Sequence, residues 1–170
     1  VQISRIEVNY DESGAWGIGV SGANTVVIGN SIVFDRNAAH EIGIIPQASN
    51  CTIRNNTIVL LSGTCIDAIE QTSASHTGIL ITDNIISGGF DRGIRYRPAS
   101  CTEARNLVYG CSQGITNNAG TVISAGAGST TSLDPLLDAY TMPLASSPAL
   151  TGGGALSTTF VDYWGNSAST

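Results

Sequence analysis

The chain has 170 residues, enough for one domain with an interior of its own and too few for two ordinary ones. Its apolar fraction is an ordinary 42%, but only 12% of residues are charged, 20 are glycine and none is lysine, which argues against a helical bundle with a Lys/Glu wet face. A net charge of −6 and a pI near 4.6, without a Lys/Arg stripe, argue against nucleic-acid binding, and no apolar run approaches the roughly 18 residues of a membrane span.

The opening VQISRIEVNY lacks the basic-then-apolar order of a signal peptide, so the chain reads as a soluble, mature or excised segment. Within it, ISRIEV is the first of a set of short β-branched stretches. WGIGV follows with Ile18, then VVIGNSI with Asn30, EIGI with Ile42, TIRNNTI with Asn56, CIDA with Ile66, LITDNII with Asn84, RGIRY with Ile94, EARNLV with Asn106 and QGIT with Ile115. Two columns emerge. The asparagines stand 26, 28 and 22 residues apart, and Ile18, Ile42, Ile66, Ile94 and Ile115 stand 24, 24, 28 and 21 apart. ISRIEV fits the first column with Val8 in the place of Ile32 and Ile6 in the place of the asparagine.

A unit of 21 to 28 residues, made of tiny strands and Gly/Asn/Ser turns, cannot bury its own apolar face and must stack on copies of itself. The expected fold is all-β: a right-handed parallel β-helix, or solenoid, of about five to six coils, with strands of successive coils pairing at about 4.8 Å. An in-register asparagine can bond its side-chain amide to the equivalent asparagine one coil away and hold left-handed backbone at the corner.

On the I-x-N-N-x-I and x-G-I-x-apolar columns the chain resembles the right-handed parallel β-helix proteins, the pectate-lyase-like superfold, over roughly residues 1–123. Its tail, SLDPLLDAYTMPLASSPALTGGG followed by VDYWGN, is similar to the ending of many secreted bacterial β-helix proteins. The resemblance implies a secreted or cell-surface protein that binds or acts on polysaccharide along one parallel sheet. Residues 1–131 are expected to form the coils and 132–170 a closing segment of the same domain. There Pro135, Pro143 and Pro148 deny ladder donors, and Leu136, Leu137, Leu144, Leu150, Phe160 and Trp164 cover the end of the core.

The cysteines add little. Cys51 and Cys101 sit two coils apart, beyond disulfide reach, whereas Cys101 and Cys111 bracket one strand and bend and could bond; most are expected as small buried residues.

GGFDRGIRYRPAS, Gly88 to Ser100, holds Arg92, Arg95 and Arg97, three of the seven basic residues. If the isoleucine column points in, strand alternation puts Gly19, Gly43, Asp67, Arg95 and Thr116 in one outward row. Gly17, Glu41, Cys65, Gly93 and Gly114 flank it on one side, and Ser21, Ile45, Ile69, Arg97 and Asn118 on the other. Asp67 and Arg95 become adjacent rungs, with His40, Asp91 and Arg92 at the bend.

Breaking a uronate glycosidic bond by β-elimination needs a cation for the carboxylate, a base for the neighbouring proton and a donor for the leaving oxygen. Arg95 and Arg97 are candidates for the first, His40 or an arginine for the second, and Asp67 with Glu41 for orienting the sugar or, were a Ca²⁺ to bind, for holding it. No metal motif or cofactor signature stands beside them. Glu41 and Asp67, at roughly 8 Å as diagonal neighbours, also suit an inverting hydrolase. Arg92, Tyr96 and Trp16 complete the expected sugar contacts, and Glu70 and His76 read as structural. The catalytic signatures of pectate lyases and polygalacturonases are absent, so a polysaccharide lyase, epimerase or hydrolase stands beside binding without catalysis. The alternative is a non-catalytic stalk or assembly β-helix of a larger surface or phage-tail-like protein, for which an oligomer is open.

Overall fold

The structure, a computed structural model, describes residues 5–8, 16–35, 41–139, 141–149, 160–161 and 167–168. Short strands succeed one another around a common axis: β1 (Arg5–Val8), β2 (Trp16–Val20), β3 (Val26–Ile28), β4 (Ser31–Phe34), β5 (Ile42–Pro46), β6 (Thr52–Arg54) and β7 (Thr57–Leu60). Then come β8 (Asp67–Gln71), β9 (Ile79–Thr82), β10 (Ile85–Gly88), β11 (Arg92–Tyr96), β12 (Cys101–Ala104), β13 (Leu107–Tyr109) and β14 (Gln113–Asn117). Every third strand pairs in parallel, giving sheets ordered β1-β4-β7-β10-β13, β2-β5-β8-β11-β14 and β3-β6-β9-β12. The fold is a three-faced parallel β-helix, as an internal repeat too small to fold alone requires. With five, five and four strands, the described stack is shorter than five to six complete coils. A separate antiparallel pair joins β15 (Phe160–Val161) to β16 (Ser167–Ala168).

The asparagine column is a continuous buried ladder. The backbone N–H and Nδ2 of Asn30 donate to Asn56 Oδ1 at 3.0 and 2.9 Å, those of Asn56 to Asn84 Oδ1 at 3.0 and 3.0 Å, and those of Asn84 to Asn106 Oδ1 at 2.9 and 2.9 Å. Left-handed backbone falls one residue earlier than expected, on Gly29 (φ 68°), Asn55 (53°), Asp83 (57°) and Arg105 (53°). That turn aims the next residue's amide along the stack, so the asparagine side chain supplies a hydrogen bond and not the bend.

The isoleucine column needs correction. Its members are Ile18, Ile44, Ile69, Ile94 and Ile115, in register across β2, β5, β8, β11 and β14, and not Ile42 and Ile66. In each strand the true member follows a small residue: Gly17, Gly43, Ala68, Gly93 and Gly114. A methyl group on Gly17 would lie 2.6 Å from Gly43 O and 3.0 Å from Ile32 Cγ2, and one on Gly93 would lie 2.7 Å from Gly114 O. The strand therefore bends at the small residue, which turns inward together with the isoleucine after it, and strict alternation is broken. Strand β1 shifts likewise: Ile6 pairs Ile32 and Val8 pairs Phe34, so the position equivalent to the asparagine is Ser4, outside the described residues.

Columns Ile32-Ile58-Ile86-Val108 and Val27-Ile53-Ile81 fill the interior, with Phe34 edge-on to Phe90 at 5.9 Å. The last position of the second column is Glu103, a buried carboxylate at the end of the core. It accepts from Asn106 Nδ2 (2.7 Å), Gly126 N–H (2.7 Å) and the Ser129 hydroxyl, while Ser129 Oγ accepts the Asn106 N–H at 2.8 Å. Glu103 and Ser129 thus satisfy the ladder's last rung. Glu103→Ala is expected to lose about 2–3 kcal/mol in chemical denaturation, because three donors lose one buried acceptor.

Residues after 130 do not simply lie across the end of the helix. Leu107 bridges Thr130, and eleven residues on, the Thr141 and Ser31 hydroxyls bond at 2.7 Å. The segment runs back along the β1-β4-β7-β10-β13 sheet from its last strand to β4. Leu136 and Leu144 are exposed, and Leu137 is half-buried but does not belong to the core cluster, so these three do not cover the core. Leu150, Trp164 and the side chain of Phe160 lie outside what the structure describes.

Candidate functional site

The outer face of the β2-β5-β8-β11-β14 sheet carries the expected candidates, rearranged by the bend. Asp67 shares a rung with Arg92, not with Arg95, and Arg95 shares one with Glu70. The Asp67 side chain is 0% exposed, and Arg92 grips both its oxygens, Nε to Oδ1 at 2.5 Å and Nη2 to Oδ2 at 3.2 Å. Arg95 Nη1 stands 3.7 Å from Asp67 Oδ2 and 3.8 Å from Glu70 Oε1, and its Nη2 donates to Asn118 O at 3.1 Å. Two carboxylates and two guanidiniums therefore share one site. Burial pushes the Asp67 carboxyl up to about 6; Arg92 opposes the rise, and the Glu70 carboxylate adds to it.

Glu70 is the residue that sequence reasoning passed over as structural. The signal was available: once the small residues set the register, Glu70 is the direct rung neighbour of Arg95.

Arg97 leaves the sheet at the turn after β11. Its Nε and Nη2 donate to Thr72 O at 3.3 and 3.2 Å, and among the described residues no carboxylate pairs with it. Beside Thr72 lies a shallow depression of about 160 Å³, lined by Ile45, Pro46, Glu70, Thr72, Ser73 and His76 among others. At the other end of the face, Trp16 is 47% exposed, and its ring lies over Gly19, where an added methyl would meet Trp16 Cε3 at 3.0 Å.

Two expected sugar contacts are overturned. Tyr96 is 7% exposed and belongs to the core, because the position two beyond the inward isoleucine also turns in. Glu41 is 1% exposed and accepts the Cys65 thiol at 3.7 Å, so it lies inside the coil and not on the groove. Burial, with the charge and hydrogen bond of Glu41 behind it, pushes the Cys65 thiol up to about 12. Asp67 and Glu41 do not fit a Ca²⁺ site: Arg92 occupies both oxygens of one, and the other faces a thiol. Among the described residues no group of three His, Cys, Asp or Glu could hold a metal. His40 lies outside the described residues.

All four cysteines are free, Cys51, Cys65 and Cys101 buried and Cys111 partly so, and Cys101 and Cys111 form no bridge. Among the described residues no helix is long and apolar enough to cross a membrane. In comparisons with protein-family models, curated proteins and solved structures, nothing matches this chain.

Proposed function

We propose that the chain is a polysaccharide-binding module whose ligand lies along the outer face of the β2-β5-β8-β11-β14 sheet. The observation that carries this reading is the Arg97 guanidinium, which has no carboxylate partner among the described residues and is bonded to Thr72 O, on a residue that lines a depression together with Ser73, Glu70, Ile45 and Pro46. An arginine fork suits a sugar carboxylate, and the Ile45–Pro46 floor suits the apolar face of a pyranose. Trp16 adds an open aromatic plane, and its rung stands three strand spacings, about 14 Å, from that of Arg92. A chain of several sugars spans that distance; a single sugar does not.

Binding is favoured over bond cleavage because the best-placed acid, Asp67, is fully covered and tied to Arg92, so no reacting atom can approach it without that pair opening. Kinship with secreted pectate-lyase-like β-helix proteins, and a secreted or cell-surface location, go with this proposal.

Binding of wild type, Arg97→Ala and Trp16→Ala to polygalacturonate, alginate and hyaluronan tests it. Each variant is expected to bind about tenfold more weakly while keeping the far-ultraviolet spectrum of the wild type. Wild-type protein that binds none of these polymers, or variants that bind as tightly as wild type, would overturn it in favour of a stalk or assembly role.

A further inference from the structure

The cluster under the proposed binding face contains more than positioning requires. Asp67 and Glu70 reach it from β8, and Arg92 and Arg95 from β11. Asp91, in the turn before β11, stands 3.4 Å from Arg92 and is exposed. From β14 the rung neighbour of Arg92 is the neutral Gln113, and from β5 that of Asp67 is Ile42, with Glu41 turned away towards Cys65. Arg97 is engaged with Thr72, and His76 faces the adjoining depression. With both carboxylates ionised, the inner four groups sum to zero charge, and Arg95 Nη1 sits between the two acids.

We propose that Asp67, Glu70 and Arg95 form a proton-operated latch: one proton taken up by the buried Asp67 loosens the hold on the Arg95 guanidinium and turns it to ligand, so anionic polymers bind more tightly in mild acid. The inference rests on the reading of this face as a polysaccharide surface.

The physical case has three parts. Arg92 holds Asp67 in bidentate geometry, so Asp67 stays in place whatever its charge partner does. Arg95 has no such grip. Its contacts to the carboxylates, at 3.7 and 3.8 Å, are longer than hydrogen bonds, and its Nε has no hydrogen-bond partner among the described residues, so Coulomb attraction to two carboxylates holds it inward beside one hydrogen bond from Nη2 to Asn118 O. Neutralising one carboxyl halves that attraction and takes the inner cluster from zero to +1. The raised carboxyl of Asp67, driven first by burial and then by its acidic neighbour, sets the changeover near pH 6.

The test uses the full chain and polygalacturonate at pH 5.0 and 7.5 at constant ionic strength, a range over which the polymer stays ionised. Wild type is expected to bind about threefold or more tightly at pH 5.0, the effect of one added charge at a partly screened distance. Glu70→Gln puts the inner cluster at +1 already at pH 7.5, so it should bind there as wild type does at pH 5.0. Arg95→Gln should bind weakly at both values, while His40→Gln and His76→Gln should keep the pH step. Equal wild-type affinity at both values, or a step abolished by either histidine variant, overturns the latch and leaves the binding face standing. If no polymer binds, the polysaccharide reading fails, and the latch is judged without ligand: the Arg95 Nε–H resonance must shift with the Asp67 carboxyl carbon through one common midpoint. A resonance that stays still across that titration ends the proposal.

Discussion

Asn84→Ala is expected to lower stability by about 3–5 kcal/mol, read by guanidinium denaturation. The side chain accepts two bonds at Oδ1 from Asn56 and donates from Nδ2 to Ile53 O (3.0 Å), Thr82 O (3.0 Å) and Asn106 Oδ1 (2.9 Å), all within a buried ladder. Alanine removes one side chain but strands donors and acceptors on three coils, each buried where water cannot replace the lost partner. The internal control is Asn117→Ala. That asparagine caps a solvent-facing turn, its Oδ1 accepting from Ala119 and Thr121 N–H at 2.9 and 3.0 Å, and its loss should cost about 1 kcal/mol. Equal losses for the two variants would show that the ladder contributes no more than an ordinary turn.

The second large effect belongs to Arg92→Ala, which leaves Asp67 as a fully buried carboxylate without its bidentate partner. A loss of about 3–5 kcal/mol is expected at pH 7.5. It should shrink at pH 5.0, because Asp67 can then take a proton and the uncompensated charge disappears. The same group sets a slope in the wild type. Its folded carboxyl titrates at about 6, above the ordinary value of an unfolded Asp near 3.9, so the folded chain binds more protons between those limits. Stability from this group is therefore greatest below about pH 4 and falls as pH rises towards and through 6, by an amount on the order of 3 kcal/mol. Asp67→Asn should flatten that slope. Melting curves for the three proteins at pH 4, 5, 6 and 7.5 decide it, and an Arg92→Ala penalty independent of pH would remove Asp67 from the account.

How far the sequence carries is clearest from residues that were and were not legible in it. Asn30, Asn56, Asn84 and Asn106 could be aligned because a ladder tolerates no substitute: its amide must donate and accept at once, every coil. The isoleucine column was harder, since these strands hold many isoleucines and an aliphatic core accepts several registers. Gly17, Gly43, Ala68, Gly93 and Gly114 carried the missing information: at Gly17, Gly43 and Gly93 a side chain would press on the next coil's carbonyl, and at Gly114 on the Thr131 side chain. Choosing Ile42 over Ile44 and Ile66 over Ile69 moved Arg95 onto the rung of Asp67, where Arg92 belongs. Strand alternation itself turns Tyr96 inward, two positions after Ile94, so its reading as a sugar contact ran against the pattern. Glu41 and Glu103 show a different difficulty. Their carboxylates are buried beside a thiol and at the end of a ladder, and composition gives no warning that a solenoid interior will take an acid.

Repeat proteins built only from nearest-neighbour contacts can fray one layer at a time from either end. The hydroxyl pair of Thr141 and Ser31 changes that expectation, because it ties a residue beyond the final coil to a strand near the first, 110 positions away. Peeling the last layer off must also pull the returning segment from the side of the stack, so the two ends lose protection together. Amide exchange at Leu107 and at Thr57 should accordingly slow and quicken in concert, as a single cooperative unit and not as a zipper.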